Sequence, residues 1–143
     1  MLLYEWNEKY SLNHPGIDAQ HQELFALVNT VQSLDPQTTT RAQIGILFKE
    51  FFDYMAHHFR DEEHYMQSIE YPLYYKHKKM HESIIEGMTQ ILKTKKHVEE
   101  LQESMRYIAK KWLVEHILEN DLKIERWRKS LCVEEGDTQS SLT

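Results

Sequence analysis

His58 and Glu62 stand four residues apart, as do His77 and His81. On an α-helix that spacing stacks two side chains on one face, so the first pair aims an imidazole and a carboxylate at one point and the second aims two imidazoles. This is metal-ligand chemistry. Tyr71-Pro72 lies between the pairs, and because proline fits the first turn of a helix but not its interior, the chain divides there into two helices. The pairs must meet across a helix hairpin. His21, His116 and Asp121 extend the set. A lone histidine on an apolar face is most often a hydrogen-bonded core residue, and for His21 alone that reading suffices. For the joint pattern it does not: several buried imidazoles with two buried carboxylates cost several kcal/mol each unless a positive charge compensates them. Imidazole suits iron, zinc, copper and nickel. Seven protein ligands are too many for one tetrahedral zinc, and two metals sharing bridging carboxylates fit better.

The elements that must position these residues read as long helices. Only four glycines and three prolines occur, mostly at segment ends, so the fold class is all-α. Residues before about Asp18 form an extended N-terminal arm with Tyr4, Trp6 and Tyr10 packed on the bundle, a turn at Pro15-Gly16, and Asp18 as N-cap. The first helix spans about Asp18 to Leu34 with His21, Leu24, Val28 and Val31 on one stripe. Thr40 and Gln43 resemble a capping box opening the second, whose stripe is Ile44, Leu47, Phe51, Met55, His58, Glu62, Met66 and Ile69. The third begins near Pro72 and carries Tyr74, His77, His81, Ile84, Met88 and Ile91; the fourth runs from Val98 to about Leu131.

In that fourth helix the stripe Leu101, Met105, Ile108, Trp112, His116 continues as Leu113, Ile117, Asp121, Ile124, Trp127, a shift of one residue. His116 and Asp121 are five apart, about 140° round an ideal helix. Either a widened π-type turn brings both inward, or Asp121 reaches in from the flank. Short connections make successive helices antiparallel, giving an up-down-up-down four-helix bundle. At a rise of about 1.5 Å per residue, all seven candidate ligands fall within a turn or two of one level. His57 and His64 lie off the stripe, His14 and His97 fall in connections, and Asp61 and Glu63 read as surface charge.

Bulk properties set limits. A chain of 143 residues with net charge -6 and pI near 5.8 is one ordinary domain without the basic patch that nucleic acid or anionic lipid requires. The first residues become acidic too early for a signal peptide, and no run is apolar enough to span a bilayer. A cytoplasmic, monomeric protein with no membrane partner is expected. The single Cys132 excludes an internal disulfide. The tail 133–143, rich in Glu, Gly, Asp, Ser and Thr, has nothing to bury and is expected to be disordered, leaving 1–132 as the domain.

The order His21, His58-Phe59-x-x-Glu62, Tyr71-Pro72, His77-x-x-x-His81 and Trp112-Leu113-x-x-His116-x-x-x-x-Asp121 resembles the hemerythrin family, specifically its single-domain bacterial members. The resemblance covers roughly residues 6 to 128, includes Trp6 and Ile17-Asp18-x-x-His21, and fills every ligand position. It implies a non-haem di-iron centre: His77, His81 and His116 on one iron, His21 and His58 on the other, Glu62 and Asp121 bridging both with an oxo or hydroxo group. The first iron then has six ligands and the second five, and the vacancy is where dioxygen binds. Leu24, Phe59, Trp112, Leu113 and Ile117 would line the oxygen pocket. By that resemblance the protein is an oxygen carrier, store or delivery protein and not an enzyme, served by an unidentified oxygen-consuming or redox partner. An oxygen or redox sensor is one alternative, and a di-iron enzyme handling peroxide or nitric oxide is the other. Ferritin-like di-iron enzymes use four Glu and two His, and the five His and two carboxylates here favour binding over activation.

Overall fold

A computed structural model describes residues 4–131; Cys132 and the tail lie outside the described residues. Four helical runs and no strand occur among them: α1 (Pro15–Gln32), α2 (Arg41–Ser68), α3 (Tyr74–Thr94) and α4 (Val98–Tyr107), the last continuing as π-helix over Ile108–Glu115 and Ile117–Asp121 and as α-helix again to residue 131. α1 packs on α2 and α4, and α2 packs on α3.

Local chemistry explains the boundaries. Thr40 accepts from the Gln43 backbone N–H while the Gln43 side chain accepts from that of Thr40, so the capping box exists in both directions. At α1 the expected Asp18 N-cap is not used. The helix starts three residues earlier, with Pro15 at its first position and His14 as N-cap, its Nδ1 accepting from the Ile17 N–H at 3.0 Å. Pro15-Gly16 is therefore the first helical turn, because proline's fixed φ suits that position and its missing N–H costs nothing there. Asp18 instead accepts from Ser11 Oγ at 2.6 Å and from the Leu12 N–H at 2.9 Å, fastening the preceding segment. That segment holds a short 3-10 turn, Glu8–Tyr10, and Tyr4, Trp6 and Tyr10 pack partly buried against the main core. Between α2 and α3, Glu70 takes a positive φ of 57° and Pro72 follows, which delays α3 to Tyr74.

Two apolar clusters sit at different heights. The larger contains Leu24, Phe48, Met55, Phe59, Ile84, Met88, Leu113 and Ile117 among others; the smaller contains Leu12, Ile17, Met66, Tyr71 and Ile124. The order along each helix establishes the topology. α1 passes from Ile17 of the small cluster through His21 to Leu24 of the large one. α2 runs from Met55 through His58 and Glu62 to Met66, α3 from Tyr74, packed on the small cluster, through His77 and His81 to Ile84, and the fourth run from Leu113 through His116 and Asp121 to Ile124. The sense alternates at every step. The bundle is up-down-up-down, with one polar layer between two apolar ones.

Candidate metal centre

The polar layer contains all seven residues expected from the sequence. His21, His58, Glu62, His77, His81, His116 and Asp121 are each at most 6% exposed. Their donor atoms fall into two overlapping groups, within each of which one atom per residue lies inside 4.8 Å of the others: Glu62, His77, His81, His116 and Asp121, and then His21, His58, Glu62 and Asp121. Glu62 and Asp121 belong to both.

The two oxygens of each carboxylate divide between the groups. Glu62 Oε1 lies 2.7 Å from His77 Nε2 and 3.2 Å from His81 Nε2, while Oε2 lies 3.3 Å from His58 Nε2 and 3.8 Å from His21 Nε2. Asp121 Oδ1 is 2.9 Å from His77 Nε2 and 3.2 Å from His116 Nε2, and Oδ2 is 3.3 Å from His21 Nε2. These short contacts lack hydrogen-bond directionality: all four carboxylate oxygens and Nε2 of His77, His81 and His116 are buried without a hydrogen-bond partner. Buried polar atoms are otherwise nearly always paired. Apart from His21 Nε2 and His58 Nε2, which meet at 3.0 Å, these donors converge on shared points rather than on each other. For bonds of about 2.1 Å, neighbouring vertices of an octahedron lie about 3.0 Å apart, which matches the observed spacing. The residues present therefore fit metal ions, and the imidazole-rich donor set suits iron among others.

Electrostatics give the same answer. Burial pushes both carboxyls up, and Asp121 adds to this at Glu62, yet the surrounding imidazoles more than reverse it and hold both well below their ordinary values of 4.5 and 3.8. Burial also pushes His77 down, but Asp121 and Glu62 raise it to about 10. His81 is raised by Glu62 and Glu63 against its own burial, whereas burial and His21 lower His58. A metal-free chain thus keeps protons in the layer as substitute cations.

The helix that brings Asp121 inward is the widened one. Leu101, Met105, Ala109, Leu113, Ile117, Asp121 and Glu125 are all buried at a spacing of four, which on an ideal helix drifts about 40° per step. The π-helical turns of Ile108–Glu115 and Ile117–Asp121 absorb that drift and place His116 and Asp121 on one face. The widened turn, not a reach from the flank, reconciles the five-residue spacing.

Of the five expected pocket residues, Leu24, Phe59, Leu113 and Ile117 are buried in the large cluster beside the polar layer. Phe59 lies flat on His81, centroids 3.7 Å apart and planes within 5°, and also contacts His58 and His116. Trp112 is half-buried. Its ring packs where a Cβ on Gly87 of α3 would stand and meets Tyr107 edge-on. Trp6, from the segment before α1, contacts His21 instead.

Three residues beside the layer were not assigned to it from the sequence. Glu63, read there as surface charge, accepts from His81 Nδ1 at 2.8 Å. Gln20 Oε1 meets His58 Nδ1 at 2.7 Å, and Asn120 Nδ2 lies 3.4 Å from His116 Nδ1. Sequence position does not single out the first two: Glu63 adjoins Glu62 but meets His81, and Gln20 adjoins His21 but meets His58, whereas Asn120 stands one helical turn from its partner. His57 and His97 are exposed, as expected, and His14 caps α1.

Comparison with known proteins agrees with this geometry. The family model described as the hemerythrin HHE cation binding domain matches residues 15–127. A bacteriohemerythrin of Campylobacter jejuni is 28% identical over 124 residues, covering 85% of this chain and 93% of that protein. One of Methylococcus capsulatus is 31% identical over 121 residues, covering 82% and 90%. A hemerythrin-like protein of Naegleria gruberi is 28% identical over 120 residues, covering 84% and 89%. A polar layer with shared carboxylates between apolar clusters and a family match across all four helices lead to one conclusion: the chain belongs to the hemerythrin family.

Proposed function

We propose that this chain binds dioxygen reversibly at a di-iron centre, as a carrier, store or delivery protein, with residues 1–132 as its single domain. His77, His81 and His116 would hold one iron, His21 and His58 the other, and Glu62 and Asp121 would bridge them together with a solvent-derived oxo or hydroxo group. The observation that carries this reading is the division of the carboxylate oxygens: Oε1 and Oδ1 face three imidazoles, Oε2 and Oδ2 face two. One half is therefore a protein ligand short, which leaves room for a small exogenous ligand.

A ferrous pair held by these residues would supply the electrons for reversible binding of dioxygen. The chain's own task is to keep that exchange clean. Leu24, Phe59, Leu113 and Ile117 present an apolar wall beside the layer, none more than 4% exposed, which admits apolar dioxygen and discourages water and protons. Phe59, stacked on His81, fixes the imidazole plane. Within the cluster, nucleophilic or acid-base chemistry has no free side chain to use once the seven donors are committed.

The test is a stopped-flow spectrum of the reduced iron protein mixed with oxygen, followed by reversal under vacuum. We expect a spectrum that appears with oxygen, vanishes on evacuation and returns through repeated cycles, with two irons per chain. Continuous oxygen consumption with reductant and no persistent oxygenated spectrum would favour the enzyme reading.

A further inference from the structure

Three consecutive carboxylates, Asp61, Glu62 and Glu63, have three different directions, because successive residues on α2 are about 100° apart. Glu62 points into the bundle. Glu63 lies toward α3, where its Oε2 accepts from His81 Nδ1 at 2.8 Å. Asp61 lies toward α1, where its Oδ2 accepts from Gln20 Nε2 at 2.6 Å while the Oε1 of the same amide faces His58 Nδ1 at 2.7 Å.

Asp61 determines how Gln20 faces. An ionised carboxylate only accepts, so the amide must present its NH2 to Asp61 and its carbonyl to His58. Both links put the proton on Nδ1 and leave Nε2 as the lone pair aimed at the cluster. They differ in charge. Among the described residues His81 is the one cluster imidazole with a carboxylate on Nδ1, and a charge-assisted bond is roughly twice as strong as one to a neutral amide.

We propose that Glu63 and the Asp61–Gln20 pair are positioning residues that set the two halves of the centre apart: a carboxylate makes His81 the stronger donor and favours ferric iron in the three-imidazole half, while a neutral carbonyl leaves the His58 half easier to reduce. This rests on the di-iron reading. Reduction of the ferric pair takes two one-electron steps, first to the mixed-valence and then to the diferrous centre, and the separation between them measures the asymmetry.

The experiment is mediated electrochemical titration of the iron-loaded protein, electrons coming from the electrode, with iron content measured alongside. Glu63→Gln weakens donation in the three-imidazole half and should raise the second, lower potential, narrowing the separation. The paired exchange Gln20→Glu with Asp61→Asn moves the carboxylate one link inward onto His58 at constant net charge. It should lower the first, higher potential and narrow the separation from the other side. Glu86→Gln removes one charge from the groove that Glu63 also lines, without a hydrogen bond to a histidine, and should leave the separation unchanged. Two irons per chain with both potentials moving together, an unchanged separation, or an equal effect of Glu86→Gln would overturn the inference alone. Fewer than two irons in the unaltered protein would overturn the di-iron reading and this inference with it.

Discussion

Glu62 and Asp121 each offer one oxygen to either half of the polar layer, so neither half is complete without both. Glu62→Ala and Asp121→Ala should therefore lower the two metal occupancies together, measured as iron per chain; a variant retaining one full equivalent would break the shared-carboxylate arrangement. Leu113 acts differently. It is 2% exposed, three residues before His116, and has no donor atom, so Leu113→Ala should keep both irons and still bind oxygen while admitting water. The oxygenated spectrum should decay several-fold faster with release of peroxide, at a core-truncation cost of roughly 2–5 kcal/mol read from chemical denaturation. An unchanged lifetime would show that Leu113 does not shield the site. All seven cluster residues were legible in the sequence because a polar side chain buried in the bundle must replace a hydrophobe on an apolar stripe, and that substitution leaves a pattern. Glu63 and Gln20 left none: they reach sideways from off-stripe positions to a partner on another helix, and such pairing depends on interhelical geometry that spacing does not encode. Asp18 was misplaced for a related reason, since His14 caps as well and Pro15 fixes the start.

At the scale of elements, the fourth run carries a period the others lack. Its one-residue stripe shift was visible in the sequence, and so was the conflict between His116 and Asp121; the extent of the π-helix, two segments beginning at Ile108, was not, because hydrophobic spacing marks the drift without saying where the backbone takes it up. A π turn is an α-helix with a residue to spare. Deleting exposed Glu119 should let the turn between His116 and Asp121 revert to α-helix, keeping both on one face and the flanks in register. Deleting exposed Glu82 from the regular α3 should rotate His77 and His81 about 100° against Ile84 and Met88. Circular dichroism melts and iron content separate the two cases: the Glu119 deletion is expected to unfold cooperatively with iron retained, and the Glu82 deletion to lose iron. Equal loss in both would mean that the widened turns are needed for more than alignment.

The whole molecule places its most expensive groups in one layer, so its stability must depend on what cation occupies that layer. Consider the metal-free chain. Glu62 and Asp121 have depressed values, so their stabilisation is present above the ordinary carboxyl range and is lost as pH falls below it toward their lowered folded values. His58, also depressed, remains neutral in the fold while the unfolded chain protonates, and it therefore subtracts stability as pH drops below 6.5. His77, raised from 6.5 to about 10, works in the opposite sense together with raised His81: their contribution is complete below 6.5 and declines as pH climbs toward the folded value. The metal-free protein should thus have its highest Tm near pH 6.5 and fall on either side. Metal binding requires neutral imidazoles and displaces the proton on His77, so the loaded protein gains as that proton becomes easier to remove. The difference in Tm between loaded and metal-free protein should widen steadily from pH 6.5 to 9, and His77→Gln should flatten the metal-free decline over that interval. Parallel calorimetric curves for the two forms across this range would mean that protons and metal do not compete for the same layer.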